Sequence, residues 1–252
     1  MLKIVAKYYS NKRSGVIAFL LTVFCFFLAV PAASAQCWTS DLSEEEQLAV
    51  ARETFADSLY SASIETAKCY LDQFKDSPVR EEVFFLRAEA LRKGGDIQAS
   101  IKAYDELKRN FPRSKSYLDN AELQQGITLV LTRKYPLAIK TLNSLLQDYP
   151  TSKLRDEAHY WLGYVASFSA ELLRKKNKQQ ALQEYKTSIK HFKLSDPKAL
   201  TQSQQQERWY LTGRAWWFLD DISKTADAWE QYLKHSKSVK PEQALNLKYQ
   251  LA

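Results

Sequence analysis

The side chains in this 252-residue sequence whose types could do chemistry are three histidines, two carboxylate clusters, a basic run and three cysteines. His159, His191 and His235 stand 32 and 44 residues apart and are assigned to different repeats, so they lack the local spacing that gathers metal ligands. They are expected on helix surfaces or between helices, with no metal site. Glu44, Glu45 and Glu46, and Asp220 with Asp221, fall at expected helix starts or turns. There a carboxylate complements the positive end of a helix, a simpler role than paired acid/base catalysis. The sequence holds no glycine-rich phosphate loop, nucleophile elbow or zinc-binding helix motif, so neither an enzyme nor a cofactor is expected. Arg174, Lys175, Lys176 and Lys178 read as a solvated helix extension, or else as a contact for an anionic partner or membrane surface.

Cysteine usage points to compartment. A basic stretch ending at Arg13, an apolar run from Gly15 to Val30 and the small residues Ala33-Ser34-Ala35 form a secretory signal peptide over 1–35, cleaved after Ala35. An uncleaved anchor is the rival reading, although sixteen apolar residues are short for a membrane span. Gln36 before Cys37 disfavours lipidation. Cys25 leaves with the signal, and the remaining Cys37 and Cys69 are candidates for one disulfide in an oxidising compartment. The alternative is a buried Cys69 with a free Cys37.

The formal charge of +7 is largely local, because Lys3, Lys7, Lys12 and Arg13 precede residue 36, where no acid occurs. Without them 32 basic residues face 29 acidic ones, too even a balance for a strong steering field, and no nucleic-acid partner is expected. Six glycines and seven prolines are few for a sheet-rich fold and favour long helices with short connections.

The elements that position these residues emerge from self-comparison. Ala88, Gly126, Gly163 and Gly213 each open a recurrent frame. Ser100, Ala138 and Thr225 follow three of them by twelve residues; after Gly163 the matching residue is Ala181, displaced by six. Bulky residues stand four later, at Tyr104, Leu142, Tyr185 and Trp229. Pro112 and Pro150 close two frames within Phe111-Pro112-Arg113-Ser114 and Tyr149-Pro150-Thr151-Ser152, and an earlier frame runs through Ala51, Tyr60, Ser63 and Ser77. Antiparallel helices approach closely where a small residue meets a large one. Proline stops the second helix and the serine after it is expected to cap the next. Ser43 with Glu46 forms a capping-box pattern.

Small residues twelve apart with proline twelve beyond resemble the tetratricopeptide repeat. The resemblance implies an all-α fold, a right-handed superhelical array of antiparallel helix pairs over residues 44–252. A mature segment, 36–43, precedes the repeats at about 44–78, 80–114, 117–152, 155–197 and 205–238. A partial sixth at 241–252 is opened by Pro241, with Tyr249, Leu251 and Ala252 matching Tyr160, Leu162 and Gly163. Tyr-Pro-Thr-Ser followed by Ala158, Tyr160, Leu162 and Gly163 is similar to periplasmic proteins of the bacterial envelope. These are the division coordinator family CpoB/YbgF and the outer-membrane assembly lipoprotein family BamD. The sequence departs from both, lacking the coiled-coil segment of the first and the lipidation site of the second. The resemblance implies an exported periplasmic scaffold, peripheral at most to a membrane, that holds a protein or peptide segment.

In such an array the first helix of each repeat lines the concave face. The inward positions are then Tyr160, Tyr164, Tyr210, Arg214 and Trp217, a set rich in the residue types that dominate binding energy. The competing reading places these rings in the core, as expected of Trp161, Trp209, Trp216 and Trp229. A final helix left open at Ala252 would allow self-association, or would mark the chain as a fragment. The second functional class is a regulatory or docking region of a larger enzyme or secretion protein whose active part lies beyond residue 252.

Overall fold

The computed structural model describes residues 37–114 and 116–235. The signal segment 1–35 and the partial repeat 241–252, with the self-association expected of it, lie outside the described residues. Among those described, every regular element is helical: α1 (Glu44–Ala56), α2 (Tyr60–Gln73), α3 (Arg80–Lys93), α4 (Ile97–Asn110), α5 (Leu118–Leu131), α6 (Tyr135–Asp148), α7 (Arg155–Leu173), α8 (Lys178–Leu194), α9 (Gln202–Phe218) and α10 (Ile222–His235), with a short 3-10 turn at Pro197–Ala199. They form two compact units, the chain up to Phe111 with α1–α4 and the chain from Pro112 with α5–α10. Within each unit consecutive helices pair, α1 with α2 and α3 with α4 in the first, then α5 with α6, α7 with α8 and α9 with α10 in the second. No described helix is long and apolar enough to cross a membrane.

Local sequence sets the helix ends. The Ser43 hydroxyl accepts the Glu46 amide while Glu46 accepts the Ser43 amide, and Thr201 with Gln204 repeats this reciprocal box ahead of α9. Asp96 and Asn177 cap α4 and α8 through the Ala99 and Gln180 amides. The serine of Tyr-Pro-Thr-Ser acts differently from the expected cap. The Ser152 hydroxyl accepts the amide of Leu154, itself the cap residue of α7, and donates to Asp119 at 2.6 Å. It therefore shapes the turn before α7 and ties it to the start of α5.

Each ordinary pair turns at one residue in the left-handed region. Ser58, Gly95, Arg133 and Asp220 have φ of 61°, 91°, 59° and 63°, and each follows its frame's small residue by seven positions. Only Gly95 adopts this backbone without a steric cost; the other three are held there by the packing of the pair around them.

That packing is small against large. A Cβ on Gly126 would lie 2.6 Å from Leu142 Cδ2, and one on Gly213 would fall inside the Trp229 indole. The α7–α8 pair departs from the expected alignment: Gly163 faces Phe192, not Tyr185, and a Cβ added to Gly163 would lie 2.7 Å from the Phe192 ring. The Ser188 hydroxyl donates to Gly163 O at 2.8 Å, as Ser63 does to Ala51 O at 3.0 Å. Ser188 and Phe192 thus occupy the places expected of Ala181 and Tyr185, seven residues on. Seven residues are almost two turns, so both sets share one helix face and the sequence pattern cannot separate them. The extra length enters both helices, α7 running 19 residues and α8 17 where α2–α6 each run 14.

Cys37 and Cys69 are bonded, their Cα atoms 5.6 Å apart, fastening the segment before α1 to α2. The buried Gln47 amide reinforces the junction by donating to Thr39 O and Gln73 Oε1, both at 2.7 Å.

Two outcomes follow. Gly213→Val, whose branches must enter the space of the buried Trp229 ring, lowers unfolding free energy by about 1–3 kcal/mol. Thermal unfolding followed by circular dichroism should show the loss with helix content at low temperature unchanged. The disulfide closes a loop with a sequence separation of 32. The chain-entropy relation assigns such a loop about 3–4 kcal/mol. Reductant should lower the unfolding temperature of the native protein, and leave a Cys37→Ser, Cys69→Ser variant unmoved.

Candidate partner-binding site

The second unit concentrates aromatic side chains where α7 and α9 meet. Tyr160, Phe192, Leu200 and Leu211 form a buried cluster, and Trp161, Tyr164, Phe168 and Tyr210 pack on it half-buried. Tyr164 stacks on Phe168 with centroids 4.5 Å apart, and Trp161 meets Tyr164 edge-on at 5.5 Å. From α9 the Arg214 guanidinium lies 5.8 Å from the Phe168 ring and 5.9 Å from Tyr210, which in turn packs against Tyr232 of α10 at 5.5 Å.

Four of the five sequence-predicted groove residues therefore come together, in different roles. Tyr160 is fully buried and its hydroxyl donates to Glu207 Oε2 at 2.6 Å, an arrangement that anchors α9 to α7. Burial, and next that hydrogen bond, push its phenol well above the usual range, so it stays a donor. Tyr164, Tyr210 and Arg214 are half-buried and form the face itself. Trp217 stands apart from them, stacked on Trp229 at 6.0 Å.

Arg214 is the chemically distinctive member. Its Nε lies 3.5 Å from Glu171 Oε1, an ion-pair distance, yet neither Nε nor Nη2 has a hydrogen-bond partner within the described residues. Glu171 is shared, since it also accepts the Tyr185 hydroxyl and lies 3.6 Å from Arg174. The guanidinium is thus held between two rings, with Nε and Nη2 buried beneath the face and 23% of the side chain exposed beside the rings. Beside it, Ser203, Glu207, Tyr210 and Tyr232 line an open cleft of about 330 Å³.

The sequence frames missed Phe168, Glu171, Glu207 and Tyr232. Phe168 stands five residues after Gly163, where α3, α5 and α9 end, whereas Glu171 lies in the added length of α7 and Glu207 six residues before Gly213. The lengthening itself, visible as the displaced small residue after Gly163, was the signal for Glu171.

Residues 82–114 and 120–152 match the family model for the tetratricopeptide repeat. Among solved structures, MamA from Desulfovibrio magneticus RS-1 is 14% identical, with 76% of this chain and 94% of that chain covered and a TM-score of 0.55. A chain of nearly identical TPR-like repeats from Podosopora anserina is 12% identical, covering 78% and 95%, with a TM-score of 0.52. The fold is all-α and of the tetratricopeptide-repeat type. No curated protein matches the chain in sequence. The two stretches matched by the repeat family comprise α3–α4 and α5–α6, so the aromatic face on α7, α9 and α10 lies outside both.

The histidines need one correction. His159 on α7 and His191 on α8 belong to a single tetratricopeptide-type pair and meet, with Nδ1 atoms 3.1 Å apart and ring centroids at 5.3 Å. Their separation of 32 residues spans two adjacent antiparallel helices, a contact that spacing along the chain does not reveal. Among the described residues no third histidine, cysteine or carboxylate completes a metal-binding group with them.

Burial, with the nearby cations, depresses both rings, His191 to about 4. Both are neutral in the folded state at neutral pH, and the unfolded chain takes up protons first as pH falls below the ordinary value of about 6.5. Their contribution to stability is complete above that value and is lost as pH drops towards about 4. The apparent unfolding temperature should therefore fall across this window, and His191→Gln should flatten the fall relative to the native protein.

Proposed function

We propose that this chain is a non-enzymatic scaffold of the bacterial cell envelope, working in the periplasm, that holds a segment of another protein against the aromatic face of α7 and α9. The observation that carries the reading is the half-buried face of Tyr164, Phe168 and Tyr210, with Arg214 seated between Phe168 and Tyr210. Aromatic and arginine side chains supply most of the energy at protein interfaces, because they bury large area with little entropy loss and offer directed hydrogen bonds. A bound segment would cover Tyr164 and Tyr210 and the exposed part of the Arg214 side chain. The fold itself supports this use, since stacked helix pairs present extended surfaces built from neighbouring repeats.

Export is supported by the signal-like pattern ending at Ala35 and by the Cys37–Cys69 pair, a bond that persists in oxidising compartments. An assembly or division complex of the envelope is the setting suggested by the similarity of Tyr-Pro-Thr-Ser and its following residues to the CpoB/YbgF and BamD families.

Crosslinked pull-down from envelope extracts tests the assignment. Tyr164→Ala combined with Tyr210→Ala should cut recovery of the bound partner, at about 2 kcal/mol or more for the pair, while far-ultraviolet circular dichroism stays native. Equal recovery of every partner removes the groove assignment. Collapse of helix content instead assigns the two rings to the core, and Arg214→Lys, which keeps the charge but loses the planar stack, then decides whether this face binds.

A further inference from the structure

A second surface of the same unit has a chemistry of its own. On α8, Lys186, Lys190 and Lys193 recur at intervals of four and three residues, a single stripe spanning about 10 Å of helix. All three are exposed, and among the described residues none forms an ion pair with a carboxylate. Like charges at such spacing repel and destabilise the isolated helix, so the free protein carries an unmet electrostatic cost here. The stripe borders an apolar cleft of about 460 Å³, floored by Ile189, flanked by the exposed Leu194 and walled on the α9 side by Trp216. Lys193 Nζ lies 5.8 Å from the Trp216 ring centroid, and Lys224 Nζ from α10 lies 4.4 Å from it. Lys224 is already met by Asp221 at 2.6 Å, which leaves the three α8 lysines as the unpaired charge.

We infer that this cleft is a docking site for an acidic amphipathic peptide segment, distinct from the face around Arg214. One apolar side chain of the segment enters between Ile189 and Trp216, and carboxylates about one helical turn apart on the segment meet the α8 lysines. The opposed charges fix register and speed encounter, while the apolar side chain supplies the burial. A concave cleft takes a protruding side chain, whereas docking on a lipid surface calls for apolar groups that project outward. The observations therefore favour a peptide over a membrane.

The test uses the whole protein and three probes. These are a labelled helical peptide with glutamates one turn apart beside a leucine, the same peptide with lysines for glutamates, and vesicles of mixed phosphatidylglycerol and phosphatidylcholine. Fluorescence polarisation should show the acidic peptide binding, more weakly as salt rises, with no binding of the lysine peptide. Lys186→Glu, Lys190→Glu and Lys193→Glu together should weaken it by about tenfold or more, since opposed charge is replaced by repulsion. These exposed positions should leave circular dichroism unchanged, and Lys→Gln at the same three sites, which removes charge without reversing it, should give an intermediate loss. Tyr210→Ala and Arg214→Ala should leave this binding as it is, which separates it from the aromatic face. The inference is overturned if the acidic peptide fails to bind, if it binds the triple variant as well as the native protein, or if only the vesicles bind.

Discussion

A small residue set against a bulky one is the contact on which the helix pairs depend. Where Gly126 admits Leu142, Gly163 admits Phe192 and Gly213 admits Trp229, two helix backbones come close enough to make a pair. Once the pair is that close, its connecting turn must be short, and one residue is forced into the left-handed region even when it is Ser58, Arg133 or Asp220. The same approach creates the buried sites for Tyr104, Leu142, Phe192 and Trp229, so the repeat's aromatic content and its small residues have one cause.

The fourth pair shows how that rule can be kept while new surface is made. With α7 at 19 residues and α8 at 17, the pair keeps its packing face while the small-against-large contact moves seven residues along α8. The added length of α7 carries Glu171, while Phe168 stands at its start. Phe168 forms one wall for the Arg214 guanidinium, and Glu171 leaves it only partly satisfied. On the partner helix, Lys186, Lys190 and Lys193 align through their spacing of four and three residues.

How much of this could be read from the residues depended on period. The helix pairs were legible because small residues twelve apart recur in several frames, and the capping box at Ser43 because its spacing is local. The α8 register was not, since Ala181 and Ser188 lie on the same face two turns apart and only the contact with Gly163 distinguishes them. His159 and His191 were misplaced for a related reason: residues that meet across antiparallel helices have no fixed separation once the hairpin length varies. At the site, Tyr164, Tyr210 and Arg214 were found by counting from Gly163 and Gly213. The same count could not tell that Tyr160 turns inward to Glu207 or that Trp217 stacks on Trp229.

The central claim is that the Tyr164–Phe168–Arg214–Tyr210 face is occupied by another protein in the cell. Site-specific photocrosslinking in living cells addresses it directly, with a benzophenone amino acid placed at Tyr210 and, for comparison, at the exposed Gln147 of α6. Occupancy of the face predicts a discrete protein adduct from position 210 and none from 147, with the 210 adduct lost when Arg214 is replaced by alanine. Absence of an adduct at 210, or one that forms equally at both positions, contradicts it.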